Sequence, residues 1–346
     1  MDFTILRLVL ASDVVFAHYR ELTGGSVWWA HGFSSTVAVQ AFFVISGWIV
    51  TASYEASSST YAFFVRRMAR LYPLYALVVL AQAFGVLLAV SPSSVSYGEF
   101  IKYLMANLAF ANFLMPTFSG FLDGAPVTAI NPALWTLKIE VMFYLSIPVW
   151  VMLSRRYGKW GLLGMFTASS LFYYATAPIS AELAKQLPGQ LRFFVIGMMC
   201  KYLITNTQLI KTIPRLAWPI LAIAGLKAAQ IFENNFPAAV LQPIFVAVFV
   251  LAIAAISPRL KNFPDISFGI YLLHSPLIQF SHQAGWLPAD SEGLIVISII
   301  TIALSILASY LIEQPAIRAG HQISQRIVKS RAARLLVNAK TLNEAK

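Results

Sequence analysis

The chain has 346 residues, of which 58% are hydrophobic and only 11% are charged, and its formal net charge is +11. A soluble domain carries about 25% charged residues, so this composition cannot cover a water-exposed surface and requires lipid as the main solvent. The sequence contains no paired Cys/His spacing typical of zinc sites and no glycine-rich phosphate loop. We therefore expect an integral membrane protein that needs no metal, and no nucleic-acid partner.

Apolar segments follow one another along the chain, each near the 20 or so residues that a helix needs to cross a bilayer. The ten segments are Phe3–Tyr19, Phe33–Ser53, Leu71–Val90, Ala133–Leu153, Trp160–Ala177, Leu187–Leu203, Leu216–Ile231, Pro237–Ile256, Ile266–Phe280 and Gly293–Ile312. An eleventh candidate, Phe100–Met115, is shorter and includes several polar residues. The prediction is an all-α, polytopic transmembrane bundle of about ten spans.

The distribution of basic residues predicts the orientation, since cytoplasmic loops are enriched in Lys and Arg. With the N-terminus inside and ten spans, most of the 25 lysines and arginines fall on the cytoplasmic side. If Phe100–Met115 also crossed, the later basic clusters would face outward. Both termini are therefore predicted to be cytoplasmic, with a transmembrane domain over residues 1–315 and a basic tail over residues 316–346 that lies on anionic lipid headgroups.

The first predicted span contains an arginine and a histidine on the same side of the helix. Arg7 and His18 are eleven residues apart, which is close to three full turns. An ionisable side chain in the middle of a membrane costs about 2.5–3.5 kcal/mol on insertion scales, so each one suggests a function. We expect both side chains to face one cavity. The alternative is that Arg7 reaches lipid headgroups while His18 anchors the opposite interface.

A buried carboxylate follows in the fourth predicted span. Glu140 has Lys138 two residues away, on a different side of the helix, so this lysine does not neutralise it. Two interpretations stay open, an ion pair with another arginine such as Arg192 and a direct chemical role.

Polar residues also form a stripe on the ninth predicted span. Tyr271, His274 and Ser275 stand at positions i, i+3 and i+4, and Pro276 can release a backbone carbonyl. A histidine among aliphatic residues is often only a packed core residue. The polar stripe favours a position that faces a cavity.

Three arginines stand in the segment FFVRRMARLYPLY. Arg67 and Arg70 are three residues apart and can converge on one anion, with Arg66 beside them. The alternative is an ordinary cluster of cytoplasmic positive charge.

The order of these sequence segments along the chain resembles that of the membrane acyltransferase-3 family. Its members are polytopic enzymes that O-acylate surface glycans, antibiotics and similar acceptors. The resemblance runs from Arg7 to Pro315. It rests on the Arg7–His18 pair and on AFFVISGWIV, FFVRRMARLYPLY, LWTLKIEVMFY, FGIYLLHSPL and a closing EQP. Lys138 departs from the small residue that many relatives have there, which leaves the role of Glu140 open.

The resemblance implies an enzyme of a bacterial inner membrane that uses acetyl-CoA or another acyl-CoA from the cytoplasm. Its acceptor would be a hydroxyl, for example of a glycan, on the outer side. Roles for individual residues follow from the same resemblance. His18 is expected to be the general base or a transient acyl carrier, because an imidazole with a pKa of about 6.5 can take a proton at neutral pH. Arg7 would hold the donor or polarise its thioester.

The remaining candidate residues divide between the two substrates. Arg66, Arg67 and Arg70 are expected to bind the phosphates of CoA. Glu140 and His274 are further catalytic candidates. Tyr271 and Arg192 are candidates for binding the acceptor.

The main alternative function is a secondary transporter of a small polar or anionic solute, which also needs buried His, Arg and Glu. Transporters of this kind commonly show internal repeats with paired broken helices. No such duplication is visible in the sequence.

Reporter fusions test the predicted topology. Fusions after Val90 and after Asn131 should both report the outer side, because basic residues of the later loops then stay in the cytoplasm. Opposite signals from the two fusions would mean that Phe100–Met115 crosses the membrane and that the ten-span topology is wrong.

Overall fold

A computed structural model describes residues 2–25, 27–32, 34–89, 95–206, 213–214, 216–232, 238–258, 260 and 264–328, and all regular structure within them is helical. The helices are α1 (Thr4–Thr23), α2 (Ser35–Glu55), α3 (Thr60–Ala89), α4 (Tyr97–Leu108), α5 (Leu134–Thr176), α6 (Ala181–Ala184), α7 (Leu187–Asn206), α8 (Ala217–Ile231), α9 (Ala238–Ile256), α10 (Ser267–Gln283) and α11 (Ser291–Ala308). Short 3₁₀ turns lie at Trp28–Gly32 and Asn112–Leu114.

Each of the ten predicted spans coincides with one of these helices or with part of one, which confirms the all-α bundle. Five helical segments are long and apolar enough to cross a membrane by length and composition alone: Ser35–Glu55, Thr60–Ala89, Leu134–Thr176, Ala239–Ile256 and Ser291–Val328. Two predicted spans lie in α5, which is broken at Gly158, where φ is 57° and ψ is −136°. Glycine tolerates this positive φ, so the chain can kink between the two halves.

The eleventh candidate segment, Phe100–Met115, overlaps a helix that is too short to span the membrane. Helix α4 has 12 residues. At 1.5 Å per residue its length is about 18 Å, which is less than the hydrocarbon thickness of about 30 Å. Its Tyr103 is buried and donates a hydrogen bond to Gln82 of α3 at 3.0 Å. The segment thus packs along α3 without the length to cross by itself.

Helices α2 and α7 approach each other closely enough for their backbones to touch. A Cβ atom at Gly47 would lie 2.1 Å from the carbonyl oxygen of Phe194, and one at Gly197 would lie 2.1 Å from that of Val44. Small residues allow such contacts between membrane helices, where packing rather than the hydrophobic effect drives association. The contact brings α7, which carries Arg192, against the centre of the bundle.

Pro276 shapes α10 near its histidine. Proline lacks an N–H, so the carbonyl of Leu272 has no partner within the helix. The side chain of Asn131 donates to that carbonyl at 3.0 Å. Further along, Gln279 donates to the carbonyls of Val127 and Ala129 at 2.8 and 2.9 Å. The carbonyl of Leu272 is thus released, as predicted, and is free to bind Asn131, and these contacts attach the segment before α5 to α10.

Helix α11 continues beyond the last predicted span, through a π-helical turn at Ser309–Glu313 and on to Val328. The side chain of Arg66 donates to Ser324 at 2.9 Å and also bonds to Ser57. Part of the predicted basic tail is therefore helical and packed against α3. Residues 329–346 of that tail lie outside the described residues, as do Lys211, Arg215, Arg259 and Lys261 of the predicted basic loops.

Candidate active site

Two cavities inside the bundle are lined by most of the candidate residues. The arginine cavity has a volume of about 140 Å³, and its polar lining consists of Arg7, Ser46, Arg67, Arg70, Thr136, Glu140, Tyr144, Ser267 and Tyr271. The histidine cavity has a volume of about 790 Å³, and its lining includes His18, Glu21, Gln40, Trp135, Tyr173, Glu182, Lys185, Gln190, Arg192 and Tyr271. Val39 and Tyr271 line both cavities, so the two adjoin.

Asp265 holds two of the arginines at the arginine cavity. Its Oδ2 accepts from Arg7 of α1 and, at 3.0 Å, from Nη2 of Arg70 of α3. The other oxygen accepts from the backbone N–H and the hydroxyl of Ser267 at 3.2 and 2.5 Å. Glu313, in the π-helical turn, is 3% exposed and close enough to these groups to interact electrostatically. One carboxylate therefore connects α1, α3 and the start of α10.

Arg67 forms no ion pair among the residues that the structure describes. Its guanidinium carbon lies 5.6 Å from the ring centroids of both Phe63 and Tyr144. Glu140, in the same cavity, accepts from Ser46 at 3.1 Å and from the hydroxyl of Tyr144. Glu140 thus lies in the same cavity as Arg67. The ion pair with Arg192 that the sequence left open is not present among the described residues.

His18 and His274 contact each other directly, although they come from α1 and α10. Nδ1 of His18 lies 2.8 Å from Nε2 of His274, and the rings stack with centroids 5.1 Å apart. The hydroxyl of Ser275 lies 3.0 Å from the same Nε2 and 3.4 Å from Nδ1 of His18. The two histidines, both catalytic candidates in the sequence analysis, thus form one hydrogen-bonded pair.

The partners determine which nitrogen of each ring carries a proton. Nδ1 of His274 lies 3.0 Å from the carbonyl of Ile270, which can only accept, so that nitrogen is the donor. In a neutral His274 ring, Nε2 is then an acceptor, and Nδ1 of His18 donates to it. Nε2 of His18 then carries a lone pair, for which the described residues provide no hydrogen-bond donor. His274 is fully buried, whereas His18 lines the histidine cavity, so His18 is the ring that a substrate can reach.

Tyr271 stands at the boundary between the two cavities. Its hydroxyl lies 2.6 Å from the hydroxyl of Thr136 and donates to the carbonyl of Ala133 at 3.2 Å. Its ring packs edge-on against Phe42 and His274. The hydroxyls of Tyr271 and Thr136 therefore lie where the two cavities adjoin.

Two expectations about the site need correction. Arg7 lines the arginine cavity and His18 lines the histidine cavity, so their shared helix face does not point both into one cavity. Arg66 lies outside both cavities and is bound by serines, so Arg67 and Arg70 are the two cluster members at a cavity.

Asp265 was missed by the sequence analysis. The available signal was a carboxylate in a loop that otherwise carried the basic residues Arg259 and Lys261. An acidic residue in such a loop, directly before a membrane helix, indicates a specific partner. The two partners come from helices that are distant in sequence, so their identity required the tertiary structure.

Comparison with known families assigns the chain to a family without reference to the site residues. The model of the acyltransferase-3 family, described as an acyltransferase domain, matches residues 2–314. The chain therefore belongs to this family, and with the helical bundle it is a multi-pass membrane protein of the O-acyltransferase class.

Several curated relatives match most of the chain. Nodulation protein 10 of Rhizobium leguminosarum bv. viciae is 28% identical over 345 residues, which cover 92% of this chain and 93% of the relative. Acyltransferase MdmB of Streptomyces mycarofaciens is 25% identical over 276 residues, with coverages of 72% and 69%. An O-acetyl transferase of Shigella phage Sf6 is 23% identical over 301 residues, with coverages of 80% and 84%. No solved structure matches the chain.

The importance of Asp265 can be tested by replacing only its charge. In Asp265→Asn, Arg7 and Arg70 lose their common carboxylate, and we expect unfolding in detergent to become easier by about 2–4 kcal/mol, between the values for exposed and buried pairs. Thermal unfolding of the purified protein measures this change.

Glu182→Gln provides the matched control for this prediction. Glu182 pairs with Lys185 at 3.8 Å, and its side chain is 84% exposed. The loss of that pair should cost less than about 1 kcal/mol. Equal unfolding temperatures for the two variants would contradict the structural role of Asp265.

Proposed function

We propose that the protein transfers an acyl group, such as acetyl, from cytoplasmic acyl-CoA to a hydroxyl of a cell-surface or exported glycan, in a bacterial inner membrane. The observation that carries the proposal is the pair of adjoining cavities, one lined by three arginines and the other by a histidine with a free lone pair. The relatives named acyltransferase and O-acetyl transferase support the reaction type.

The arginine cavity suits the donor. Arginine binds phosphate oxygens through paired N–H groups, and Arg67 has no carboxylate partner in the described part of the chain. Arg70 and Arg7 keep their orientation because Asp265 holds them. Because Arg7 and Arg70 share one oxygen of Asp265, they and Arg67 would act together on the phosphates of the donor.

The histidine cavity suits the acceptor. Its larger volume, about 790 Å³, can hold a sugar residue, and aromatic rings of Trp135 and Tyr173 line its wall. Nε2 of His18 would take the proton of the acceptor hydroxyl. His274 would position His18 by accepting from its Nδ1–H, as an orienting group does for the histidine of a catalytic triad.

The chemical step is a single exchange of bonds. The acceptor oxygen attacks the thioester carbonyl as its proton moves to His18, the new ester C–O bond forms, and the C–S bond breaks. The CoA thiolate leaves and takes up a proton. Tyr271, at the boundary, can donate a hydrogen bond to the carbonyl oxygen if its hydroxyl turns from Ala133. A two-step route, with the acyl group first on His18, uses the same groups.

Loss of the donor site is the first test. Arg67→Ala together with Arg70→Ala should weaken acyl-CoA binding, because each lost charge-assisted hydrogen bond costs about 1.5–3 kcal/mol. Equilibrium binding of acetyl-CoA to the purified protein measures the change. Arg156→Ala, which removes an exposed arginine outside both cavities, serves as the control. Unchanged affinity in the double variant would limit the cluster to a role in topology.

Loss of the base is the second test. His18→Ala should lower product formation about 10²–10⁴-fold without loss of membrane expression, since a positioned general base contributes that much. His18→Gln should fail equally, because an amide cannot take a proton. His282→Ala, which changes a histidine outside both cavities, should leave the rate unchanged. A residual rate in His18→Ala above about one tenth would contradict the assignment.

His274 distinguishes positioning from direct catalysis. His274→Ala should slow transfer by leaving Nδ1 of His18 without an acceptor, whereas His274→Gln keeps an amide oxygen for this bond and should retain more activity. An active His18→Gln with an inactive His274→Gln would reverse the two roles.

Solute uptake without acyl transfer would favour a transporter instead.

A further inference from the structure

We infer that the histidine cavity binds an acceptor that carries a negative charge, and that Arg192 binds this charge. The inference rests on the proposed function in one respect, because the bound ligand is called an acceptor on the basis of that function. The binding of an anion in this cavity can be tested separately.

Arg192 is a buried cation with unused hydrogen-bond donors. Its side chain lies in the lining of the histidine cavity and is 1% exposed. Nε and Nη1 have no hydrogen-bond partner among the described residues. The guanidinium carbon lies 3.3 Å from the ring centroid of Tyr173 and 4.9 Å from that of Phe193, so the group forms cation–π contacts with both rings. A charge in this setting is expensive unless a partner with opposite charge is present.

The other charged groups of the cavity already have partners. Glu182 pairs with Lys185 at 3.8 Å. Glu21 interacts with the neighbouring Arg20 and with the hydroxyl of Ser35. His18 is neutral in the hydrogen-bond arrangement described above. Arg192 is thus the cation of this lining for which the described residues supply no carboxylate, and a ligand would complete it.

A second polar group in the same lining lacks a partner. Oε1 of Gln40, on α2, forms no hydrogen bond with the described residues, and the side chain is 7% exposed. An amide oxygen accepts from hydroxyls, whereas the guanidinium donates to anions. Together, Gln40 and Arg192 match a ligand with both hydroxyl groups and an acidic group. A sugar that bears a carboxylate or a phosphodiester has this chemistry, whereas a neutral sugar can accept hydrogen bonds from Arg192 but does not balance its charge.

The experiment measures binding without any acyl donor. Purified protein in nanodiscs of zwitterionic lipid is titrated with three probes: a glucose oligosaccharide, the matching glucuronic acid oligosaccharide, and the glucose oligosaccharide carrying a phosphodiester. The protein should bind at least one anionic probe about ten- to a hundredfold more tightly than the neutral probe, the range expected for hydrogen bonds to a charged group. The anionic probe that binds more tightly identifies the acidic group as carboxylate or phosphate.

Variants assign the effect to Arg192. Arg192→Gln should remove the preference for the anionic probe and leave the affinity for the neutral probe within about twofold. Arg192→Lys should keep part of the preference, because it retains the charge but loses the planar fork of donors. Lys185→Gln is the matched control, since Lys185 lies in the same lining but already pairs with Glu182. It should leave the preference in place.

Equal binding of neutral and anionic probes by the unaltered protein, or binding of none of them, would overturn the inference. So would a preference that persists in Arg192→Gln, because Arg192 would then serve only the packing of α7. The proposed function fails by a different result, which is an anion preference that depends on Arg192 in a protein that transfers no acyl group to any probe.

Discussion

The cost of a charged side chain inside a lipid-embedded bundle is the constraint on which the rest of this structure depends. Arginines from α1 and α3 lie in the arginine cavity, and Asp265 balances two of them through one carboxylate oxygen. Since an unpaired charge at such a place is costly, this one residue joins α1 and α3 to the start of α10. The arginine cavity is lined by residues of all three helices, and Arg67 in this lining forms no ion pair with a described residue.

The same constraint explains the neutral character of the histidine pair. Two rings that share a hydrogen bond and end on the carbonyl of Ile270 satisfy their donors without any charge. A neutral ring is also the form that can accept a proton. The hydrogen bonds that lower the free-energy cost of burying His18 and His274 therefore also leave Nε2 of His18 able to accept a proton.

The position of the boundary between the cavities gives the proposed reaction its geometry. Val39 and Tyr271 contact both spaces, and the hydroxyls of Tyr271 and Thr136 meet there. Donor and acceptor can each occupy a cavity with suitable chemistry, and only the reacting ends need to approach. Helix α10 is central to this, because it carries Tyr271 and His274 and is fastened by Asn131 at the carbonyl that Pro276 leaves free.

The sequence alone determined the solvent, the helical class and most of the candidate residues. Composition excluded a soluble fold, apolar run length located the ten helical segments, and the cost of ionisable groups in lipid singled out Arg7, His18, Glu140 and His274. These are local properties, because helical period and hydropathy need no knowledge of distant residues. The family resemblance rested on the same short segments, and the match over residues 2–314 confirmed it.

Only the tertiary structure decided which of these residues meet. The contact between His18 and His274 joins positions 256 residues apart, and the pair of Arg7 with Asp265 joins positions 258 residues apart. Helical spacing relates residues within a few turns of one helix, so it could not predict these contacts or divide Arg7 from His18 between two cavities. It also could not show that no described carboxylate pairs with Arg192, since that depends on every helix packed around it.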